Sequence, residues 1–251
     1  MFTKSEMPSD DVLFEQIDDI NRSIARVRSF LTETVDISSI QDLPMLRTQV
    51  QLFFQAHLRR ALDFLDGGKH ALDAGYGLVA ITAVRCLFES AACIHDFSNQ
   101  MIKFIEAGNI PDAVRLGHLR SFSQRFEVKE RNTEMYDYTA VHILKQIDAL
   151  DKAVPDARRS YEQLSEMVHP NAHGALYYFM RAGEGEGEVE RLRFGKPDDE
   201  KSQFMGLLLA GASLFSLILD DLLRFQSTML KLMADELQNR IDDDEARKKG
   251  A

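Results

Sequence analysis

The sequence predicts an all-α protein, an elongated helical bundle with long N- and C-terminal helices and a small β-hairpin around 176–194. Three observations carry this. Apolar residues recur at spacings of three and four over long stretches, the period of a helix face. Only six prolines and fourteen glycines occur in 251 residues, few for a β-sandwich. A content of 45% apolar and 28% charged residues buries a real core and does not describe a disordered chain. The chain reads as one domain over 1–251: an N-terminal heptad helix (1–40), a central bundle (44–174), a hairpin or irregular arm (175–197), a long helix (198–241) and a frayed tail (242–251).

The first helix is expected from Asp10 to Val35. Leu13, Ile17, Ile20, Ile24, Val27 and Leu31 alternate at four and three, and Ser9, Asp10 and Asp11 supply a cap and first-turn acids. Pro44 opens a second helix, which Gly67-Gly68 is expected to stop. A third helix, about Leu72 to Ala107, should be central: thirteen of the seventeen residues from Leu78 to Ile94 are apolar, on every face. Asn109-Ile-Pro111 turns into a fourth helical region that breaks near Glu130–Thr133 and resumes over Ala140–Leu150.

A short helix follows from Asp156, its cap, to Val168, where Pro170 forces His169 out of helical geometry. The expected strands are Leu176–Met180 and Val189–Phe194, joined by Ala-Gly-Glu-Gly-Glu-Gly-Glu. The last helix keeps a 4,3 apolar alternation from Phe204 through Gly211 to Leu232. Forty residues make a rod of about 60 Å, longer than the ~45 Å diameter of a compact chain of this size. A homodimer packed through long helices is the expected solution, with an elongated monomer as the alternative.

Composition excludes several classes. Forty acidic against thirty basic residues leave a net charge of −10, unfavourable for general DNA coating or anionic membranes. The start lacks the apolar stretch of a secretory signal, and Cys86 and Cys93 sit too far apart on one helix to pair, so a cytoplasmic location is expected. The apolar run Phe204–Leu219 is 16 residues long and ends in Asp220-Asp221, which reads as a buried helix rather than a membrane span. Walker, GxGxxG, GxSxG, CxxC and HExxH patterns are absent, and no cofactor is expected.

Four groups of residues can carry chemistry. Arg85 and Glu89 are the only charges in the greasiest part of the third helix and share one stripe with Asp96, Asn99 and Lys103. They either fix helix register as an ion pair or line a wet pocket. Arg158, Glu162, Ser165 and His169 form a stripe on the short helix, beside the apolar stripe of Ala157, Tyr161, Leu164 and Val168. His169 can act as general acid or base with an arginine stabilising negative charge, or it can simply cap the helix with Ser165. His169 and His173, with His142, Glu162 and Glu166, are a weak metal option, since proline and glycine break the helical spacing. Finally, Arg115, Arg120, Arg125, Lys129 and Arg131 alternate with Phe122 and Phe126, a pattern that suits either RNA contact or an amphipathic helix.

The run Tyr161-x-x-Leu164-Ser165-x-x-Val168-His169-Pro170-Asn171, with Arg85-x-x-Phe88-Glu89, resembles uncharacterised bacterial helical proteins related to the HEPN superfamily. That resemblance implies a small helical bundle, often dimeric, acting as a metal-independent ribonuclease in stress or phage defence, or as a nucleotide- or partner-binding module. It implies His169 as the acid–base group, with Arg158 or Arg85 supporting the phosphorane in a cleft shared with Glu89 and Ser165. The arginine-histidine spacing of the nuclease members is missing: none of the seven histidines follows an arginine with four to six residues between. The competing class is a non-catalytic scaffold acting through dimerisation.

Overall fold

A helix that is apolar on every face has to be surrounded, and the architecture follows from surrounding one. The computed structural model describes residues 1–6, 13–37, 43–122, 141–186, 189–196 and 200–249. Among these, seven α-helices and one hairpin run in the order α1 (Ile17–Arg28), α2 (Leu43–Asp73), α3 (Gly77–Glu106), α4 (Ile110–Phe122), α5 (Ile143–Asp151), α6 (Ala157–Val168), β1 (Met180–Glu186), β2 (Val189–Phe194) and α7 (Glu200–Lys249). The all-α expectation holds. α3 is the axis, packed by α2 and α7 on its long sides and by α4, α5 and α6 around the rest, while α1 lies against α7.

The core is aromatic where α2 meets α3. Phe53 stacks on Phe97 with centroids 3.8 Å apart, and Phe54 packs edge-on to Phe97 and against Phe225 of α7. α7 reaches α3 closely because Gly211 has no side chain; a Cβ there would lie 3.1 Å from Val84 and 3.2 Å from Leu87. A buried polar clamp ties the same two helices. Asn99 Nδ2 donates to His95 Nε2 (2.9 Å), leaving the Nδ1 side of the ring against Asp221 Oδ2 at 2.8 Å. Arg224 donates to the other Asp221 oxygen at 2.9 Å and also to Asn99. These pairings satisfy the Asp221 carboxylate, which is 3% exposed.

Several details differ from the sequence reading. α1 covers only Ile17–Arg28, because α2 offers the backbone beyond it other partners. Gln55 accepts from Thr32 N and donates to Phe30 O, while Arg59 donates to Thr32 O. Asp10 itself lies outside the described residues. Gly67-Gly68 does not stop α2, which continues to Asp73; Gly68 is a contact point, since a Cβ there would sit 2.9 Å from the Ala83 Cβ. The helix ends instead at Gly75, whose φ of +74° is left-handed. Asp156 is left-handed too (φ +68°) and caps nothing with its side chain; Asp151 Oδ1 accepts from Arg158 N at 2.9 Å in its place. The break expected at 130–133 lies outside the described residues.

His169 is extended (φ −72°, ψ 145°), as Pro170 dictates. A π-helical turn at Ala172–Tyr177 follows, with Asn171 Oδ1 accepting from Gly174 N at 3.0 Å. Of Leu176–Met180, expected as strand, Leu176 and Tyr177 belong to this turn and Tyr178 and Phe179 continue it as helix, while the Gly/Glu segment through Glu186 lies in β1. β1 pairs antiparallel with β2 from Met180↔Phe194 to Glu186↔Val189, with a bulge after Gly183. α7 continues to Lys249, so 242–249, expected as tail, is helical. Its acids at 242–245 precede Arg247, Lys248 and Lys249, the charge order a helix dipole favours. Fifty residues at 1.5 Å make α7 about 75 Å long. By length and composition α3 and Phe204–Asn239 of α7 could cross a membrane, yet 61% and 50% of their most apolar stretches are buried inside the bundle.

The two adjacent glycines of α2 should respond oppositely to one methyl. Gly67 is exposed with open space around it, so Gly67→Ala should stabilise by about 0.5–1 kcal/mol. Gly68→Ala must push α2 from α3 and should destabilise by about 1–3 kcal/mol. Urea unfolding followed by circular dichroism checks both.

Candidate functional site

The two charges set into α3 do not face each other alone; α2 and α6 complete them. Arg85 and Glu89 are four residues apart, with Arg85 Nη2 3.4 Å from Glu89 Oε1. Tyr161, 3% exposed on α6, sits between them: its hydroxyl accepts from Arg85 Nη2 at 3.1 Å and donates to Glu89 Oε1 at 3.0 Å. The Arg85 guanidinium also lies over the Tyr161 ring at 5.3 Å. From α2, Arg60 Nη2 reaches Glu89 Oε2 at 3.4 Å and Nη1 donates to Ser90 Oγ at 2.5 Å, while the guanidinium lies over Phe64 at 4.8 Å. One carboxylate thus serves two guanidiniums. Arg85 Nε is buried and unpartnered.

Burial works against the Arg85 charge, but the Tyr161 hydroxyl and Glu89 outweigh it and hold the guanidinium above its ordinary pKa. Burial pushes the Tyr161 phenol up, with the Glu89 charge adding to it and Arg85 opposing, so the phenol stays protonated at neutral pH. Burial and Glu89 raise Cys86, so its thiol is not an activated nucleophile. Cys93 is raised by burial as well, and its Sγ donates to Gln146 Oε1 at 3.3 Å. No disulfide joins the two.

Two turns further along α3 a second polar group begins. Arg120 of α4 pairs with Asp96, the two side chains only 9% and 16% exposed, and Gln100 donates to the other Asp96 oxygen at 2.7 Å. His57 of α2 lies against Phe53 at 4.2 Å, with its Nδ1 buried and unpartnered. Burial, then the charges of Arg60 and Arg120, push its pKa down to about 4.

The remaining sequence-expected residues lie elsewhere on α6. Arg158 is held by Glu162 (2.7 Å) and Asp148 (2.6 Å), a local network tying α6 to α5. Ser165 donates back to Tyr161 O at 2.8 Å, within its own helix. His169 is exposed at the C-terminal cap, its backbone N–H on Ser165 O at 3.1 Å. It lies eight residues beyond Tyr161, about 12 Å along the helix axis. The bonds of Arg85 and Glu89 therefore run to Tyr161 and Arg60, and those of Arg158 to Asp148 and Glu162. Asn99 faces α7 and Lys103 is exposed, so the stripe of α3 divides after Asp96.

Among the described residues no three His, Cys, Asp or Glu side chains converge as metal ligands. Of the basic-aromatic stretch, Arg115 is exposed and Arg120 is held by Asp96, while Arg125, Phe126, Lys129 and Arg131 lie outside the described residues. Arg60 and Tyr161 are the members that sequence reasoning missed. Tyr161 stands on the apolar stripe, where only its ring is anticipated. Arg59-Arg60, flanked by Leu58 and Ala61, was the available signal for the other, because both guanidiniums cannot leave the same face of a packed helix.

No family model matches this sequence, and no curated protein or solved structure matches it either.

His57 should make stability depend on pH. Its folded pKa of about 4 lies below the usual 6.5, so the unfolded chain binds the extra proton first as pH falls. Stability is full above pH 6.5, drops between 6.5 and 4, and levels off below, by at most about 3 kcal/mol. His57→Phe, which keeps a ring against Phe53, should remove this part of the slope in urea titrations between pH 7 and 4.

Proposed function

We propose that the chain is an HEPN-like, RNA-directed helical module whose Arg60 and Arg85 hold a phosphate at the junction of α2, α3 and α6. The observation that carries this is the charge imbalance there: two guanidiniums, 40% and 29% exposed as side chains, share the single carboxylate of Glu89. That leaves one positive charge and an unpartnered Arg85 Nε in a protein of net charge −10. Both arginines are oriented beforehand, one over Tyr161 and one over Phe64, which lowers the entropy lost when they grip an anion. The resemblance of the Arg85 and Tyr161 motifs supports the same direction, and with it a cytoplasmic role in stress or phage defence without a metal. The two quoted motifs meet through one hydroxyl, that of Tyr161.

Cleavage in this reading falls to His169, whose exposed imidazole is accessible to RNA that extends along α6. The competing reading is a scaffold in which the cluster only fastens α6 to α3. It is favoured by the partners Arg85, Glu89 and Tyr161 already find in one another.

Fluorescence anisotropy with a labelled single-stranded RNA at low salt separates the two. Arg60→Gln should weaken binding about tenfold and make its salt dependence shallower, with a melting temperature changed by less than a few degrees. Absence of binding by the native protein, or equal affinity of the variant, contradicts the RNA reading and leaves the scaffold. His169→Ala should abolish any RNA cleavage while leaving affinity unchanged.

A further inference from the structure

The inward seam of α7 ends its burial at Phe225, and beyond it the helix carries a second apolar line one residue out of step. Leu223, Leu230, Met233, Leu237 and Ile241 are 40%, 61%, 49%, 61% and 45% exposed. They recur at seven, three, four and four, the spacing of a coiled-coil seam, over about 27 Å of helix. Beside them a groove of about 650 Å³ runs between α7 and the segment leading into α2, with Val35, Leu43 and Pro44 facing Met229, Met233 and Leu237. Groove and seam form one apolar face, larger than solvent-facing leucines scattered singly.

Charge along this stretch is polarised. From 222 to 233 the only charges are Arg224 and Lys231, both basic; from 234 to 245 there are six acidic residues and one basic. Parallel pairing of two such helices would set acidic halves against each other. Antiparallel pairing about a two-fold axis between Met233 and Ala234 sets Leu230 against Leu237 and Lys231 against Glu236.

We propose that a second copy of this chain occupies this face, its α7 antiparallel to the first, in an isologous two-fold dimer. The acidic and basic halves give the pairing its direction, and the leucines and the groove beside them give it its burial. The interface stands independently of whether Arg60 and Arg85 hold RNA.

Light scattering at micromolar concentration should return twice the 28.5 kDa chain mass. Leu230→Glu with Leu237→Glu should return a single chain, with helical circular dichroism retained because both sites are exposed. Orientation is read separately, from cysteine variants of the otherwise native chain under mild oxidation. Ala234→Cys should cross-link across the axis, while Leu223→Cys, about 30 Å from its copy in an antiparallel pair, should not. A monomeric native protein, cross-linking of Leu223→Cys with Ala234→Cys silent, or flotation of the native protein with anionic phospholipid vesicles would each overturn the proposal.

Discussion

Two charges inside an apolar helix set the terms for everything packed around α3. Neither Arg85 nor Glu89 can be left alone at a helix junction without a cost of several kcal/mol, and each alone would reject the helices that α3 needs for cover. The solution is a phenol. Tyr161 brings a ring that α6 buries with its apolar stripe and a hydroxyl that touches both charges at once. Arg60 answers the free side of Glu89 from the opposite flank. Through these contacts the register of α2 and α6 against α3 is tied to one carboxylate.

The same logic recurs toward α7. Asp221 enters the core because His95, Arg224 and, through them, Asn99 meet it. Where no polar group has to be accommodated the helices simply approach, as at Gly68 and Gly211. α3 thus has two charged edges, one toward α2, α4 and α6 and one toward α7, separated by faces without charge. The first edge carries more positive than negative charge and is partly open; the second is closed and balanced, which makes it a fastener.

Much of the fold was legible because it rests on period and composition. Thirteen apolar residues in seventeen made α3 the axis, and the 4,3 seam of α7 described its buried half. The failures share a cause in long-range contact. Gly68 stands where a helix breaker is expected, yet its lack of a side chain serves a neighbour in α3. α1 stopped early because Gln55 and Arg59, distant in sequence, take up the backbone of residues 30–32. At the site, Arg85 and Glu89 were visible as exceptions in an apolar run. Tyr161 was hidden by its own hydrophobicity, and His95 and Asp221 by the 126 residues that separate them. His169 was conspicuous in the sequence through Pro170, but the proline sets its backbone and leaves it exposed at the end of α6.

A double-mutant cycle on Tyr161→Phe and Glu89→Gln tests most directly whether the phenol holds the α3 charges in place. If the hydroxyl and the carboxylate act as one unit, urea unfolding should return a coupling energy of about 1–2 kcal/mol between them. Stability losses that add to within about 0.3 kcal/mol would show that the two side chains act independently, and would remove the tie between α3 and α6 on which this account stands.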